Sequence, residues 1–571
     1  LPGLPKGTKE APRVSPDGRW IAYAGDVDET DPWGTRNTKI YLVPIEGGEP
    51  RDLTGHEDHD MAVATLSDTG DAAFGAKLEW KEDGSGLYVQ IGTRGETQLG
   101  VVSVDGGTTL LTEGRHAIGV GTGAKGRIAA LRADASTLAE VGVLESQLAT
   151  GRCVFRQLTN HNGELLAELE LPQPEEFTTV ADDGAEVHGW LLRPSGEAKG
   201  TLLMIHGGPH TQYGWSFFHE FRAMVGLGYA VVYGNPRGSK GYGEAWCAAI
   251  KGDWGNRDWA DVQALTTYAK GLGLGKLAIA GGSYGGYMTN WAIGHDRESY
   301  ACAVSDRCVS NMVSMALNSD FPFNRDGYFK GVAWGDLEAI RELWRQSPIS
   351  HFDGVTTPTL VIHSAGDLRC NVEQGEEVFL ALRQQGVPAR MVRYPASTSH
   401  GLSRSGPPDL RLHRLGEMAA WFGRCRKTAQ PEGASVRERE FLPLPYFSAR
   451  SVTLRSGIGE DRRHSGDGVD DPVQRCSPLR VRESLASQIA FARRHRDFDD
   501  EERFRGVGET AVVGSARKKR ELGIEDVPFA DHQGRRDDQG RRDDAPRREG
   551  RLQSPEDEKV ERSLGHFRHD V

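Results

Sequence analysis

No stretch of the 571 residues approaches the ~18 consecutive apolar residues that cross a membrane, so no membrane partner is expected. Cysteine is scarce. The seven are scattered, odd in number and without zinc spacing, so neither a disulfide framework nor a metal site is expected. A reducing, cytoplasmic setting is the simpler reading. The chain opens on Leu1 with no signal peptide behind it, which suggests processing or a fragment and leaves a lost leader open. Positive charge is not in excess: 69 basic residues stand against 81 acidic ones, a net of −12, which argues against nucleic acid as the main partner. Glycine is abundant at 72, but no G-X-Y period accompanies it, so collagen is excluded and the excess points to turns and close backbone approaches. The length suggests about three to five domain-sized units, ample to bury large cores.

Three zones follow. Residues 1–160 hold short apolar runs between turn signals: Ser15-Pro16-Asp17-Gly18 before Trp20-Ile21-Ala22-Tyr23, Asp83-Gly84 before Leu87-Tyr88-Val89. Leu-Thr pairs recur at Leu53-Thr54, Leu111-Thr112 and Leu158-Thr159, spaced 58 and 47 residues apart. A weak repeat of this size, with several strands in each unit, predicts a partial β-propeller of about three blades, with a plain β-sandwich as the alternative. Residues 161–425 alternate strand-like and helix-like segments, which predicts an α/β fold with a mainly parallel sheet. The strands are expected at Val187–Arg193, Thr201–His206, Tyr229–Gly234, Lys276–Ala280, Ala301–Ser305, Pro358–His363 and Ala389–Tyr394. Residues 426–571 carry 30 basic and 29 acidic residues in 146 and the short repeat at 534–544, a composition expected to be a disordered tail, genuine or an artefact of gene calling.

Gly281-Gly282-Ser283-Tyr284-Gly285 fits G-x-S-x-G, a pattern that chance alone often produces. Its setting is more telling. A strand-like run enters it and a helix-like run leaves it, which is the strand–turn–helix of a nucleophile elbow. A serine hydroxyl needs a base, and the base needs an orienting acid. In this architecture the chain order is Ser, acid, His. Asp367 follows one predicted strand and His400 follows another, at the ends where such sheets gather their chemistry. Asp353 precedes its strand, and His413 sits in a helical pattern, so both are weaker choices. Tyr284 N–H and, from the His206-Gly207-Gly208-Pro209 loop, Gly208 N–H (Gly207 as alternative) are the expected oxyanion donors. His206 reads as a structural residue of that loop.

Jointly, His206–His210, Asn235–Gly243, Gly252–Gly255, Gly281–Tyr287, Asp367–Arg369 and Ser399–Ser403 resemble the prolyl oligopeptidase family of serine peptidases, its acylaminoacyl-peptidase branch most of all. The resemblance implies an α/β-hydrolase catalytic domain preceded by a β-propeller that limits substrates to short peptides. It implies the triad Ser283, Asp367, His400, the oxyanion donors Tyr284 and Gly208, and Arg369 as a substrate-contacting residue. It implies no cofactor, and it leaves a homo-oligomer open. About three blades are fewer than the family's seven or eight, and the family has no tail like 426–571.

Met312, Met315, Phe321, Phe323, Phe329 and Trp334 are read either as an apolar substrate pocket or as helix packing. The expected activity is hydrolysis of short or N-acylated peptides. A dipeptidyl aminopeptidase, for which Glu175-Glu176 would have to hold a free amino terminus, and a carboxylesterase are the alternatives. A catalytically dead interaction protein is the remote one.

Overall fold

A computed structural model describes residues 3–427 except 29–33, 63–64, 70–76, 125–126, 148–150, 322–327 and 330. The charged stretch read from the sequence as a disordered tail, and Phe323, lie outside the described residues.

The N-terminal strands form antiparallel meanders. The first is β1 (Lys9–Val14), β2 (Trp20–Gly25), β3 (Lys39–Pro44) and β4 (Arg51–Asp52). The second is β5 (Leu78–Trp80), β6 (Gly86–Thr93), β7 (Glu96–Ser103) and β8 (Thr108–Leu110). The third is β9 (Ala117–Ala124), β10 (Arg127–Ala133), β11 (Glu140–Ser146) and β12 (Cys153–Gln157), touching the second through the parallel pair Thr97 and Ala117. Each Leu-Thr pair directly follows the fourth strand of its meander, and the structure shows what it does. The Thr54 hydroxyl accepts the Ile40 N–H (3.0 Å), Thr112 that of Leu99 (2.9 Å) and Thr159 that of Val141 (2.9 Å). In the same three places Leu53, Leu111 and Leu158 donate their N–H to the carbonyl of Ile40, Leu99 and Val141, each at 2.8 Å. The third strand of every meander is thus closed off by the same two hydrogen bonds, where it would otherwise lack a partner. This is the propeller-type device behind the weak repeat.

After α1 (Gly163–Ala167), a third sheet runs in the order β13 (Glu175–Val180), β14 (Glu186–Leu192), β16 (Ala230–Asn235), β15 (Thr201–Ile205), β17 (Leu277–Gly282), β18 (Cys302–Asp306), β19 (Thr359–Ser364) and β20 (Ala389–Tyr394). The pairings are parallel from β16 through β20 and antiparallel at β13–β14–β16. This is an α/β-hydrolase sheet. The helices are α2 (His219–Gly226), α3 (Glu244–Ala248), α4 (Arg257–Gly271), α5 (Tyr284–His295), α6 (Met312–Asn318), α7 (Leu337–Arg345), α8 (Val372–Gln384), α9 (Leu402–Ser405) and α10 (Pro408–Lys427). Strands β15, β16 and β18 are buried at every position, as strands covered on both faces must be. Seven of these eight strands fall within a residue or two of the spans read from the sequence. The eighth, β13, is polar and alternately exposed, an edge strand without a continuous apolar run.

The two parts are locked together. The β6–β7 turn presses Gly95 against Trp190 so closely that a Cβ there would lie 2.5 Å from the indole. Gly95 N–H donates to Gln212 Oε1 (2.9 Å), and Trp215 N–H donates to Gly95 O (2.8 Å). Asp68, from the link between the first two meanders, caps α2 by accepting the N–H of His219 (2.6 Å) and Glu220 (2.8 Å). Lys240 and Asp60 form a buried ion pair at 2.5 Å between the two parts.

One expectation is corrected. Cysteine usage predicted no disulfide, yet Cys302 on β18 and Cys425 on α10 are bonded, with Cα atoms 6.0 Å apart. They are 123 residues apart in sequence, and only the packing of α10 against the sheet brings them together. Cys153, Cys247, Cys308 and Cys370 form no disulfide among the described residues, and Cys247 Sγ lies 3.3 Å from His210 Nδ1.

Candidate active site

Strand β17 delivers Ser283 into a turn that only glycine neighbours permit. Ser283 has φ +63°, a left-handed conformation costly for a residue with a side chain. A Cβ on Gly281 would overlap the Gly285 backbone, and one on Gly285 would overlap the Ile205 carbonyl of the neighbouring strand. The Ser283 N–H is held by the carbonyls of Asp306 and Arg307, both at 3.1 Å. Strand–turn–helix geometry is therefore built on β17, Ser283 and α5, and it lifts the Ser283 hydroxyl clear of the sheet. Below, α5 is fully seated: Tyr284 O–H donates to Asp258 Oδ2 (2.5 Å), and Trp254 of the Gly252–Gly255 segment packs edge-on against Tyr284 and Tyr287.

The structure brings the three expected residues together. His400 Nε2 lies 3.0 Å from Ser283 Oγ, and His400 Nδ1 lies 2.7 Å from Asp367 Oδ2. The other Asp367 oxygen accepts the N–H groups of Arg369 (2.9 Å) and Cys370 (3.0 Å), so the turn after β19 fixes the carboxylate before it meets the imidazole. Burial works to raise the Asp367 carboxyl, but its hydrogen bond and charge contact with His400 outweigh that and hold it below the usual range. Burial first, with the Arg307 and Arg404 charges, lowers the His400 imidazole against the raising effect of Asp367, so it rests below its ordinary value. Asp353 and His413 stay elsewhere: Asp353 O accepts from Arg297, and His413 meets Tyr394 O–H at 2.9 Å.

The His206–Pro209 loop lies on the elbow, and a Cβ on Gly207 would stand 3.3 Å from Ser283 Cβ. The Gly207 carbonyl accepts from Thr211 Oγ1 (2.6 Å) and His206 Nδ1 (2.8 Å). In a trans peptide the next N–H points the opposite way, so these two residues fix the direction of Gly208 N–H. His206 is a loop residue, buried, with its other nitrogen 2.9 Å from Ser239 Oγ and its imidazole pushed down to about 4 by burial. Among the described residues, neither Gly208 N–H nor Tyr284 N–H has a protein acceptor.

Arg369 and Phe321 sit side by side next to the acid. The guanidinium is 5.0 Å from the Phe321 ring centroid and pairs with Asp320 at 2.6 Å. Of the two readings of that stretch, packing fits Met312, Met315 and Phe329, which are buried in the core, while Trp334 is 62% exposed. Apolar composition alone does not tell a pocket from packing. Glu175 and Glu176 are already engaged, by Arg193 at 2.8 Å and by Arg115 (2.7 Å) and His188 (2.8 Å). Thr211 and Arg307 are site residues that motif reading missed. The charged pair Asp306-Arg307, closing an otherwise apolar strand beside the elbow strand, was the available signal for the second.

Ser283, His400 and Asp367 thus form one hydrogen-bonded line at the edge of an α/β-hydrolase sheet. Residues 215–429 match the prolyl oligopeptidase family. It is similar to the uncharacterized peptidase YuxL of Bacillus subtilis (strain 168), 36% identical over 400 residues, covering 67% of this chain and 59% of that protein. It is also similar to dipeptidyl-peptidase 5 of Trichophyton equinum, 26% identical over 69% of this chain and 53% of the relative. Among solved structures it resembles the acylaminoacyl peptidase of Pyrococcus horikoshii, with TM-score 0.62 and 26% identity over 73% of this chain and 63% of the other. The chain thus spans between half and two thirds of the length of these relatives. Among the described residues no helix is long and apolar enough to cross a membrane.

Proposed function

We propose that the protein is a serine peptidase that cleaves short or N-acylated peptides through an acyl-enzyme. The observation that carries this is the continuous Ser283–His400–Asp367 line at 3.0 and 2.7 Å. His400 takes the Ser283 proton as the hydroxyl attacks a peptide carbonyl. The oxygen of that carbonyl becomes negative and takes the Gly208 and Tyr284 N–H groups, a kind of stabilisation worth about 3 kcal/mol per donor. Asp367 holds His400 in the tautomer that can accept, then stabilises the imidazolium. His400 returns the proton to the departing amine, and water repeats the sequence on the ester. No metal or cofactor takes part in this scheme. Arg369 and Phe321, beside Asp367, are the nearest substrate contacts.

The acyl-peptide preference rests on the likeness to acylaminoacyl peptidases, and the dipeptidyl alternative on the likeness to a dipeptidyl-peptidase. The paired state of Glu175 and Glu176 favours the first. Acetyl-amino-acid and free dipeptide anilides compared at equal concentration separate the two, with faster cleavage of the acetylated series expected. Ser283→Ala is expected to abolish turnover on both while leaving the melting temperature within a few degrees. A folded Ser283→Ala protein that still cleaves them at the unsubstituted rate would falsify the assignment. The cytoplasmic setting read from sparse cysteine stands against the Cys302–Cys425 bond, and cell fractionation decides between a reducing and an oxidising compartment.

A further inference from the structure

Lys240 is a buried cation where the N-terminal meanders meet the hydrolase. Its ion pair with Asp60 is a weak source of stability in itself, because two charges have left water to make it. Its contacts show what else it holds. Outward, the ammonium donates to Asp60 Oδ2 (2.5 Å) and to Arg36 O (2.6 Å). Asp60 is fixed in turn to both meanders: Oδ1 accepts the Ala62 N–H (3.0 Å), Oδ2 the Thr38 N–H (3.3 Å) and its carbonyl the Gly92 N–H (3.2 Å). The residue after Lys240 is gripped as well, since Arg94 N–H donates to Gly241 O at 2.9 Å. Gly241 stands at φ +84°, and a Cβ there would overlap Gln212 Oε1. Inward, the Lys240 N–H donates to Thr211 O at 3.0 Å, and the preceding Ser239 Oγ lies 2.9 Å from His206 Nε2. Thr211 and His206 are the two residues whose side chains bind the Gly207 carbonyl, at 2.6 and 2.8 Å. Three hydrogen bonds, passing through Lys240 and Thr211, therefore join Asp60 to the Gly207–Gly208 peptide.

We propose that Lys240 is a positioning residue for the oxyanion site: it ties the loop that aims Gly208 N–H to the first two meanders, so these sheets help set the direction of an oxyanion donor. This rests on the peptidase reading above. The physical reason lies in the two glycines. An N–H stabilises a developing oxyanion only when it points at it. Gly207 and Gly208 have no side chains by which to be held, so their peptide is held through its carbonyl. The peptide is planar, and a rotation of the Gly207 carbonyl rotates the Gly208 N–H with it. Thr211 grips that carbonyl but belongs to the same loop, where its N–H already donates to Pro209 O (2.8 Å). An anchor from another segment is needed to fix the loop as a whole. Lys240 supplies it, with its backbone on Thr211 and its ammonium on the meanders.

The test uses the full chain and two variants, Lys240→Met and the double variant Lys240→Met with Asp60→Asn. The readouts are kinetics on an acetyl-amino-acid anilide and inhibition by an acetyl-amino-acid trifluoromethyl ketone, whose adduct with Ser283 carries an oxyanion. Stability and aim separate in this pair: the double variant removes the unpaired charge but does not restore the tie to Arg36 O and Asp60. In both variants kcat is expected to fall roughly 10–100-fold and the ketone to bind more weakly by a similar factor. KM, affinity for the acetyl amino acid product and the midpoint of the acid limb, which reports His400, are expected to stay in place. Thr211→Val is expected to give the same signature and Thr211→Ser to restore activity. Adding Thr211→Val to the double variant should cost little more, because both cut one tie. A double variant that regains kcat together with stability overturns the proposal, as does a kcat loss without a matching loss of ketone affinity. Should neither Lys240 variant fold, Lys240→Arg, which keeps the charge but not the geometry, and Thr211→Val carry the test, and an unchanged kcat in either overturns it. No fluorophosphonate labelling of Ser283 in the folded unsubstituted protein sinks the peptidase reading and this proposal together. Normal labelling with an unchanged kcat in the double variant sinks this proposal alone.

Discussion

A histidine that must take up a proton and give it back needs a fixed orientation, and Asp367 supplies it to His400. Asp367 is the partner whose removal is easiest to read. Asp367→Asn keeps the size of the side chain and an oxygen for the Arg369 and Cys370 N–H groups, so the turn should hold. The imidazole then loses its orienting acceptor and settles in the wrong tautomer. The expected loss is about 10⁴ in kcat with little change in melting temperature, measured on an acetyl-amino-acid anilide. The acid limb also has a definite sign. A lowered imidazole means that activity rises with pH through a midpoint below its ordinary value and is already near its plateau at pH 7. At this scale the sequence was informative. The order Ser, Asp, His and the placement of each after an apolar run pointed to three residues that lie in one hydrogen-bonded line. The hold of the Asp306 and Arg307 carbonyls on the Ser283 N–H was not legible, because it comes from a neighbouring strand: Ala280 and Gly281 of β17 pair with Val304 and Ser305 of β18, and nothing in the linear chain announces that register.

Among elements, the elbow and the blade closures both depend on what a backbone leaves room for. Gly285→Ala is expected to disrupt the packing of α5 against β15, because the new Cβ would meet the Ile205 carbonyl rather than a side chain that can move aside. Thermal unfolding should fall sharply. Gly271, at the end of α4, has open space around it. Gly271→Ala should raise stability by about 0.4–1 kcal/mol, read in the same melts. Thr112→Val tests the blade device. It removes the acceptor of the buried Leu99 N–H and should cost about 1–3 kcal/mol in denaturant unfolding. Strands of the hydrolase sheet could be read from sequence because burial on both faces leaves continuous apolar runs. β13 could not, since its residues are largely exposed at the sheet edge. The Leu-Thr repeat was visible, but its meaning, a hydroxyl closing the third strand of each meander, was not.

For the molecule as a whole, the N-terminal sheets and the hydrolase share buried polar joints. Lys240→Met would leave Asp60 as an uncompensated buried charge and should destabilise the protein by about 3–5 kcal/mol. The double variant with Asp60→Asn should recover a good part of that loss, and urea unfolding of the four proteins in the cycle measures it. None of these joints was legible, because the partners lie far apart in sequence, Asp60 with Lys240 and Asp68 with α2.

The Cys302–Cys425 bond has its own consequence for how the chain comes apart. It closes a ring of backbone that contains Asp367 and His400 but leaves Ser283 outside. A protease that nicks any exposed loop within that ring produces two pieces that remain covalently joined. Such a nicked protein should migrate as a single band without reductant and as two bands with it. Cut once, the chain would still keep its acid and base on the same molecule as its nucleophile.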